Sequence, residues 1–392
     1  MPELPRIPAR AFSVADYGAL GDGKTMNTAA LQHAIDAVGK SGGGTLHVPV
    51  GRFVTGPLVL GSNLNLHLAK GAVILISDDM ATYPQTHGRY QDSITSVKSH
   101  DLEISGEGCI DGQGASWWAA FEANHDMPHR PYLIKFDHCE RVRVAGITLI
   151  NSPMFHLVPN QCAEVTIRDI TISAPSTAHN TDGIDPSGTN FLIDGCHIDT
   201  GDDNIAIKPC APAMNRNFTI SNCEFRRGHG MSIGSGTNGG LENMLVRNCS
   251  FSGTDAGIRI KTARGRGGLL KNVTYDHLSM TKVKKPIEIV CYYPKTPKTP
   301  DEDPRQAITP LTPTFDNITI SNVTSTASPG AGVIWGLPEM PVADIHFINV
   351  HLTAATGMKM VHAKGIRFTD SALTIAKGKA LILSDAEVTG LK

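Results

Sequence analysis

The segment VTIRDITI, residues 165–172, carries the pattern that decides the fold. Its apolar residues alternate with other residues, and this period of two is typical of a short β-strand. Asp169, at the fifth position, interrupts the alternation with a residue type that readily adopts turn geometry. Eight residues cannot bury a core by themselves, so the fold depends on whether the pattern recurs.

The same eight-residue pattern recurs along most of the 392-residue chain. Neighbouring copies lie about 26 residues apart in most cases, and one longer gap, between Val273 and Ile318, indicates an insertion. Stacked copies, each paired with its equivalent one coil away, would bury a continuous core. We therefore predict an all-β fold, a single right-handed parallel β-helix domain over residues 1–392. Clear copies begin at Val142, Val165, Phe191, Phe218, Met244, Val273 and Ile345, and weaker copies at Leu102, Ile318 and Ile366.

Two segments depart from the repeat. Residues 11–40 form a predicted cap region, because the open end of a stacked sheet needs cover. Within it, Asn27 is a candidate N-cap of a short amphipathic helix. The residues expected on the buried face of that helix are Leu31, Ala34, Ile35 and Val38. Residues 292–316, rich in proline, are predicted to be an exposed loop insertion and not a linker between domains.

The composition argues against several classes of function. Lys plus Arg number 35 and Asp plus Glu number 37, so no net charge favours nucleic acid or a membrane as partner. The chain contains no apolar run of membrane-spanning length. The N-terminal segment MPELPRIPARAF lacks the features of a signal peptide, so we expect either synthesis without export or earlier removal of a leader.

The cysteines fit the repeat better than they fit a metal site. There are eight, with no CxxC pair and no clustered histidines, so no metal is predicted. Cys196, Cys223 and Cys249 occupy the sixth position of their copies, which is otherwise aliphatic, and we expect a buried, reduced ladder. A disulfide framework is possible but is not indicated by the spacing. GALGDGKT, residues 18–25, has the spelling of a phosphate-binding loop, but strands that alternate only with strands favour a turn before the cap helix.

Unusual polar residues follow consecutive strands of the repeat and are therefore expected on the same side of consecutive coils. Four steps at about 4.8 Å per coil give a patch of roughly 19 Å, the size of a groove. The residues are Asp182, Asp202, Asp203, His229, Arg259, Lys261, Tyr292 and Tyr293.

Three carboxylates close together suit glycoside hydrolysis, in which one acid protonates the leaving oxygen and another carboxylate activates water. Arg259 and Lys261 alternate on one strand and can bind a substrate carboxylate, so the cluster suggests a uronic-acid polymer. Taken singly, Asp182 fits a turn residue and His229 a structural residue. The adjacent pair Asp202 and Asp203 fits calcium, and the two cations fit a solvated strand face. The residues alone do not choose between Asp202 and Asp203 as the acid.

Four motifs in this order resemble the polygalacturonase family, glycoside hydrolase family 28, and in particular bacterial endo-polygalacturonases. They are Asn180-Thr181-Asp182, Gly201-Asp202-Asp203, Gly228-His229-Gly230 and Arg259-Ile260-Lys261. The similarity extends from DYGALGDG near residue 16 through GCIDGQG and NSPMFHL to KPIEIVCYYP.

The resemblance implies inverting hydrolysis of α-1,4-linked galacturonan, the polymer of pectin, without metal or cofactor. It assigns Asp202 as the general acid, and it assigns Asp182 and Asp203 as the residues that position and deprotonate the attacking water. His229 would tune the protonation of the acid. The residues expected to contact the sugar are Asn180, Arg259, Lys261 and Tyr293, with Tyr292 as the alternative to Tyr293.

Two other functions remain open at this stage: a calcium-dependent pectate lyase with Arg259 or Lys261 as base, and a non-catalytic polysaccharide-binding β-helix. Endo action is expected, although the loop 292–316 could block one end of the groove and favour exo action. A monomer is expected, and the polymeric substrate implies a secreted or periplasmic protein.

Overall fold

The computed structural model describes residues 1–212 and 214–391. The chain forms two compact units, Met1–Asp202 and Asp203–Lys392. Both units consist mainly of parallel β-strands, as the period-two pattern predicts.

The first unit contains short strands, two α-helices and two 3-10 helices. The helices are Val14–Tyr17 (3-10), Thr28–Lys40 (α), Met80–Thr82 (3-10) and Ala115–Ala123 (α). The strands are Ala11–Ser13, Asp22–Met26, Gly44–Val48, Gly51–Thr55, Leu58–Val59, Leu64–Leu68, Ala72–Ile76, Gln85–Thr86, Arg89–Tyr90, Ile94–Val97, His100–Gly106, Cys109–Asp111, Ile134–Asp137, Glu140–Ala145, Thr148–Ile150, Leu157–Asn160, Cys162–Arg168, Thr171–Ser173, Gly188–Asp194 and His197–Asp199.

The strands of the first unit stack as three parallel ladders that run through successive coils. One ladder leads from Leu64–Leu68 to Gly188–Asp194, and a second ends at His197–Asp199. The third consists of four strands, Leu58–Val59, Ile94–Val97, Ile134–Asp137 and Leu157–Asn160. The bridge between Leu157 and Ile184 brings the third ladder to the segment that follows Asp182.

The second unit has the same construction with longer strands. Its strands are Ile205–Ile207, Asn215–Ser221, Glu224–Arg226, Met231–Gly234, Leu241–Ser252, Ala256–Lys261, Leu269–Thr281, Lys285–Val290, Thr314–Trp335, Val342–Thr369 and Ala372–Thr389, and its 3-10 helix is Pro300–Glu302. One parallel ladder leads from Ile205–Ile207 through Met231–Gly234 and Ala256–Lys261 to Lys285–Val290.

The predicted register is confirmed inside each unit. In the first, Val142 lies opposite Val165, which lies opposite Phe191. In the second, equivalent first positions again face each other in the order Phe218, Met244, Val273, Ile318 and Ile345. These residues are all buried, so the alternating pattern marks the side chains that form the core.

The fifth position of each copy has the expected turn geometry. Gly146, Asp169, Asn222 and Asn322 all have positive φ, which Gly, Asn and Asp tolerate best. A second such position, just before each copy, was not predicted. There, hydrogen bonds between asparagine side chains of neighbouring coils form a ladder that contains Asn217, Asn243, Asn272 and Asn317.

The cap helix, Thr28–Lys40, buries the four residues expected on its inner face. Asn27 occupies the N-cap position, but its side chain makes no cap hydrogen bond. Its amide oxygen accepts from the backbone N–H of Leu20, and its amide nitrogen donates to the carbonyls of Leu20, Thr25 and Val54. Asn27 therefore occupies the predicted N-cap position, but its side chain fixes the glycine-rich segment to the sheet and does not cap the helix.

The glycine-rich segment 18–25 contains the predicted turn at Gly18, whose φ is +86°, and then enters the strand Asp22–Met26. The Asp22 carboxylate accepts hydrogen bonds from the backbone N–H groups of Lys24 and Thr25. An internal carboxylate thus satisfies the donors that a phosphate loop would present to its ligand. The three ladder cysteines Cys196, Cys223 and Cys249 are buried, as expected of small apolar residues.

The proline-rich loop is exposed over most of its length, and the following strand already begins at Thr314. Specific contacts fix it at two points. Asp303 accepts hydrogen bonds from Tyr292 Oη at 2.6 Å and from Arg264, and the Leu311 carbonyl accepts from the backbone of Gly265 and Gly267.

Candidate active site

Asp203 lies at the centre of the polar cluster in the second unit, just before the strand Ile205–Ile207. Its side chain is buried, and it accepts three hydrogen bonds there. Lys261 Nζ donates to Oδ2 at 2.6 Å, while Arg259 Nη1 and Ser232 Oγ donate to Oδ1 at 3.0 and 2.9 Å. Since Arg259 and Lys261 both reach one carboxylate, their alternation on the strand Ala256–Lys261 places them on one face, as predicted.

These contacts keep Asp203 ionised. Burial alone would raise its pKa, but the nearby charges of Lys261, Lys208 and Arg259, together with the Lys261 hydrogen bond, lower the pKa well below the ordinary aspartate value. A carboxylate in this state can accept a proton from water but cannot donate one. The surrounding cations also oppose a divalent metal ion at this carboxylate, because like charges repel strongly in a buried site.

The two cations were expected to bind substrate carboxylates. In the structure, both bind Asp203, and Arg259 Nε also donates to Glu288 Oε2 at 3.0 Å. Lys261 is 5% exposed, so its ammonium is part of the interior of the cluster. Their contact with the sugar remains a prediction.

His229 lies beside Asp203 in a glycine-flanked turn. Its Nδ1 is 3.7 Å from Asp203 Oδ1, and its Nε2 is 3.8 Å from Asp255 Oδ2. Gly230 has φ of +82°, and a Cβ there would lie 1.9 Å from the Ala256 carbonyl oxygen, so only glycine fits. The flanking glycines thus allow the turn to approach the next strand and present the imidazole, which remains partly exposed, to the carboxylate.

The neighbouring tyrosines have different surroundings. Lys261 Nζ lies 5.2 Å from the centre of the Tyr293 ring, a cation–π contact within the Asp203 cluster. Tyr292 instead donates to Asp303 in the proline-rich loop, and its ring contacts Trp335. The structure therefore associates Tyr293 with the polar cluster and Tyr292 with the loop.

Asp182 lies in the first unit, in a buried turn fixed by uncharged groups. The backbone N–H of His156 donates to the Asp182 carbonyl at 2.8 Å, and His156 Nδ1 lies 3.0 Å from the same oxygen. His156 Nε2 in turn lies 3.4 Å from the backbone N–H of Ser152. Both contacts are satisfied by the neutral imidazole with its proton on Nδ1. Burial lowers the pKa of His156 to about 4, which favours this neutral form.

Arg130 is a positioning residue that the sequence reading missed. It is almost completely buried, and its Nη2 donates to Asn180 Oδ1 at 2.8 Å, while Nη1 donates to the His179 carbonyl at 3.2 Å. Its guanidinium also lies 4.2 Å from the centre of the Phe121 ring. Arg130 is 50 residues from Asn180 in sequence, and no short motif contains both.

Asp202 ends the first unit and has an intermediate exposure. Its segment is joined to the Asp182 turn, because Thr181 Oγ1 accepts from the backbone N–H of Gly201 at 3.0 Å and donates to the Ala178 carbonyl at 2.8 Å. A Cβ at Gly201 would lie 2.3 Å from that same carbonyl, which explains the glycine.

The structure therefore brings the predicted site residues together in two groups, one in each unit. Asp203, His229, Arg259, Lys261 and Tyr293 form one cluster in the second unit. In the first, Thr181 joins the turn of Asn180 and Asp182 to the residue that precedes Asp202. A single groove that contains all of them remains a prediction.

None of the helices in residues 1–212 and 214–391 is long and apolar enough to cross a membrane.

The chain is similar to known proteins over most of its length. The profile of "Glycosyl hydrolases family 28" matches residues 40–373, which include every site residue discussed above. An endo-polygalacturonase of Pectobacterium carotovorum subsp. carotovorum is 34% identical over 325 residues, 77% of this chain and 78% of that protein. A probable polygalacturonase of Vitis vinifera is 34% identical over 306 residues, which are 70% of this chain but only 62% of the relative.

Solved structures agree with the fold. The polygalacturonase of Erwinia carotovora ssp. carotovora matches with a TM-score of 0.74 and 28% identity over 98% of this chain and 99% of that one. The exopolygalacturonase of Thermotoga maritima matches with a TM-score of 0.76 and 27% identity, over 92% and 93%. The predicted fold class, a right-handed parallel β-helix, and the resemblance noted in the sequence are confirmed. The chain belongs to glycosyl hydrolases family 28.

Proposed function

We propose that this chain is a polygalacturonase that hydrolyses the α-1,4-galacturonosyl linkages of polygalacturonate and pectin with inversion, and that it cleaves inside the polymer. Family membership and relatives named polygalacturonases support the substrate class. The observation that carries the assignment of roles is the state of Asp203, which is buried between Lys261 and Arg259 and stays ionised.

An ionised Asp203 is suited to accept a proton from the attacking water and unsuited to donate one to the leaving oxygen. Its neighbour Asp202, with intermediate exposure, is then the candidate general acid. Asp182 is proposed to share the water with Asp203. In an inverting enzyme the acid and the base should be separated by roughly 6.5 to 9.5 Å, which leaves room for the water.

His229, close to Asp203, is proposed to set the electrostatic environment of the acid. Asn180, Arg259, Lys261 and Tyr293 are proposed to contact the sugar. Arg259 and Lys261 would contact the sugar while they keep their hydrogen bonds to Asp203. Lys261 already donates to Asp203, so its ammonium is poorly placed to act as the base of a lyase.

Endo action is supported by the endo-polygalacturonase of Pectobacterium, whereas relatives that act from chain ends are also present, such as the exopolygalacturonase of Platanus acerifolia. We further propose that residues 1–392 act as one catalytic domain and as a monomer, with the loop 292–316 beside the groove. The polymeric substrate favours a secreted or periplasmic location.

The test is an assay of the purified full chain on polygalacturonate in the presence of a chelator. New reducing ends and a rapid fall in product length are expected, and NMR should show the inverted anomer first. Unsaturated, ultraviolet-absorbing products that require calcium would identify a lyase. Binding without new reducing ends would identify a non-catalytic protein.

The assignment of the acid is tested by Asp202→Asn. Turnover should fall about 10²- to 10⁴-fold, the usual contribution of general acid catalysis, while thermal stability and polymer binding persist. Asp169→Asn is the matched control, since Asp169 occupies an exposed left-handed turn position that asparagine also tolerates. A near-normal rate for Asp202→Asn would remove Asp202 from the mechanism.

A further inference from the structure

A cavity of about 390 Å³, with charged and apolar side chains in its walls, lies in the first unit. One wall is the antiparallel hairpin of Gln85–Thr86 and Arg89–Tyr90, and the other walls include the strands Ile94–Val97 and Ile134–Asp137. The hairpin is fixed in place, because the backbone of Tyr90 and Gly88 exchanges hydrogen bonds with that of His129. The cavity is therefore a built feature with the volume of a small-molecule site.

Among residues 1–212 and 214–391, the anionic group nearest to the two cations of this cavity is Asp92, at the edge of ion-pair distance. Lys135 Nζ is 3.9 Å from Asp92 Oδ2, and Arg89 Nη2 is 4.0 Å from Asp92 Oδ1. Two cations thus share one carboxylate at distances beyond a direct hydrogen bond, while that carboxylate accepts from the backbone of Tyr132 at 2.8 Å. The guanidinium of Arg89 lies 5.3 Å from the centre of the Tyr132 ring, a contact that orients it.

A continuous row of polar side chains leads from the cavity toward the Asp182 segment. Asn160 Nδ2 donates to Asp137 Oδ1 at 2.6 Å, and Ser187 Oγ donates to Asn160 Oδ1 at 3.1 Å. Asp137 lines the cavity, and Ser187 lies five residues after Asp182. Asp137 and Asn160 lie opposite each other on neighbouring strands, and Ser187 extends the row beyond them.

The register gives the distance along this face. Lys135 lies opposite Val158, and the next bridge joins Leu157 to Ile184. Lys135 is therefore two coil steps, roughly 10 Å, from the segment that follows Asp182. That separation suits a sugar bound on the same polymer but beyond the residue at the cleaved bond.

We propose that this cavity is a remote subsite in which Lys135 and Arg89 bind the carboxylate of a uronic-acid residue of the polymer. Ammonium and guanidinium groups with unused donors bind carboxylates through charge-assisted hydrogen bonds. Thr95 and Tyr90, which also line the cavity, offer hydroxyl groups for the sugar. The inference rests on the proposed function, since it requires a uronate polymer as substrate.

The experiment compares long oligogalacturonates with the trimer as substrates for the full chain and for Lys135→Ala and Arg89→Ala. Each variant should raise the KM for long oligomers about 10-fold relative to the KM for the trimer, the effect of one charged contact worth about 1.4 kcal/mol. Lys135→Arg should restore most of the difference. Lys40→Ala, at an exposed position in the last turn of the cap helix, is the control.

The outcomes separate the two claims. An unaltered chain that does not cleave polygalacturonate contradicts the proposed function. An active chain whose variants melt normally and change the two KM values equally, or not at all, overturns the subsite. Equal inhibition by free monogalacturonate of the cleavage of the trimer and of long oligomers would also overturn the subsite, because the monomer would then act only at positions that both substrates occupy.

Discussion

The two units position their aspartates by different means. In the first unit, the Asp182 turn is fixed through its backbone by uncharged groups, with His156 bonded to the carbonyl and Thr181 bonded to Gly201. In the second, the Asp203 side chain itself is fixed by two cations, Lys261 and Arg259. A carboxylate bound by cations is fixed in its charge as well as its position, whereas the backbone contacts of Asp182 fix the position of its turn.

The largest effect on stability is expected from the removal of a cation that binds Asp203. Lys261→Met removes a buried cation and leaves Asp203 with less compensation, so the free energy of unfolding should fall by about 3 to 5 kcal/mol. Denaturant unfolding at neutral pH measures the loss. Lys271→Met, which removes a half-exposed ion pair with Asp316 in the same unit, should cost less than about 1 kcal/mol. Equal losses in both variants would show that Asp203 does not depend on Lys261.

The comparison also predicts two separate ranges of acid sensitivity. The folded pKa of His156, about 4, lies below the ordinary 6.5, so the unfolded state binds the proton first as the pH falls. Stability should therefore decline by up to about 3 kcal/mol between pH 6.5 and 4, and His156→Gln should remove this part of the decline.

Asp203 is expected to act in the lower range. Its folded pKa is depressed below the ordinary 3.8, so its stabilisation is complete above that value and is lost as the pH falls further. Lys261→Met should flatten this lower part and leave the upper part unchanged. Thermal melting of the three proteins from pH 7 down to about pH 1.5 measures both ranges, and one undivided decline in all of them would contradict the assignment.

The smallest effect on stability is expected from a change in the uncharged groups that fix the Asp182 turn. Thr181→Val keeps the volume but removes the bonds to Gly201 and Ala178, so it should cost about 1 to 2 kcal/mol. Because the lost bond joins the Asp182 turn to the residue before Asp202, kcat should fall more than KM rises. Thr181→Ser, which keeps the hydroxyl, is the control. A loss of stability without any change in kcat would show that the bond serves folding alone.

Much of the fold could be predicted from the sequence because the repeat is local. The first and fifth positions of each copy specify a buried side chain and a turn, and neighbouring copies such as Val142 and Val165 align in register as a result. The cap helix could be predicted for the same reason, since apolar residues that recur with a period near 3.6 mark its buried face. The ladder of Asn217, Asn243, Asn272 and Asn317 could also have been predicted, since each of these residues directly precedes a copy, but it was missed.

The hydrogen-bond partners of polar side chains could not be predicted in the same way. Asn27 was expected to cap a helix, yet its amide bonds to Leu20 and Val54, which only the folded sheet brings near it. Arg259 and Lys261 were expected to bind a ligand carboxylate, and their hydrogen bonds to the protein's own Asp203 were not predicted. A sequence shows that charges of opposite sign are present, but not which of several carboxylates each cation reaches.

By itself, the sequence determined the strand period and the turn positions, because these depend on backbone preferences within a few residues. It also showed the four motifs and their order directly. Only the tertiary structure decided that Asp203 is buried beside cations that keep it ionised. The reason is physical: burial alone would raise its pKa, and this effect is outweighed by charges such as that of Lys261, which is 58 residues away in the chain but 2.6 Å away in space.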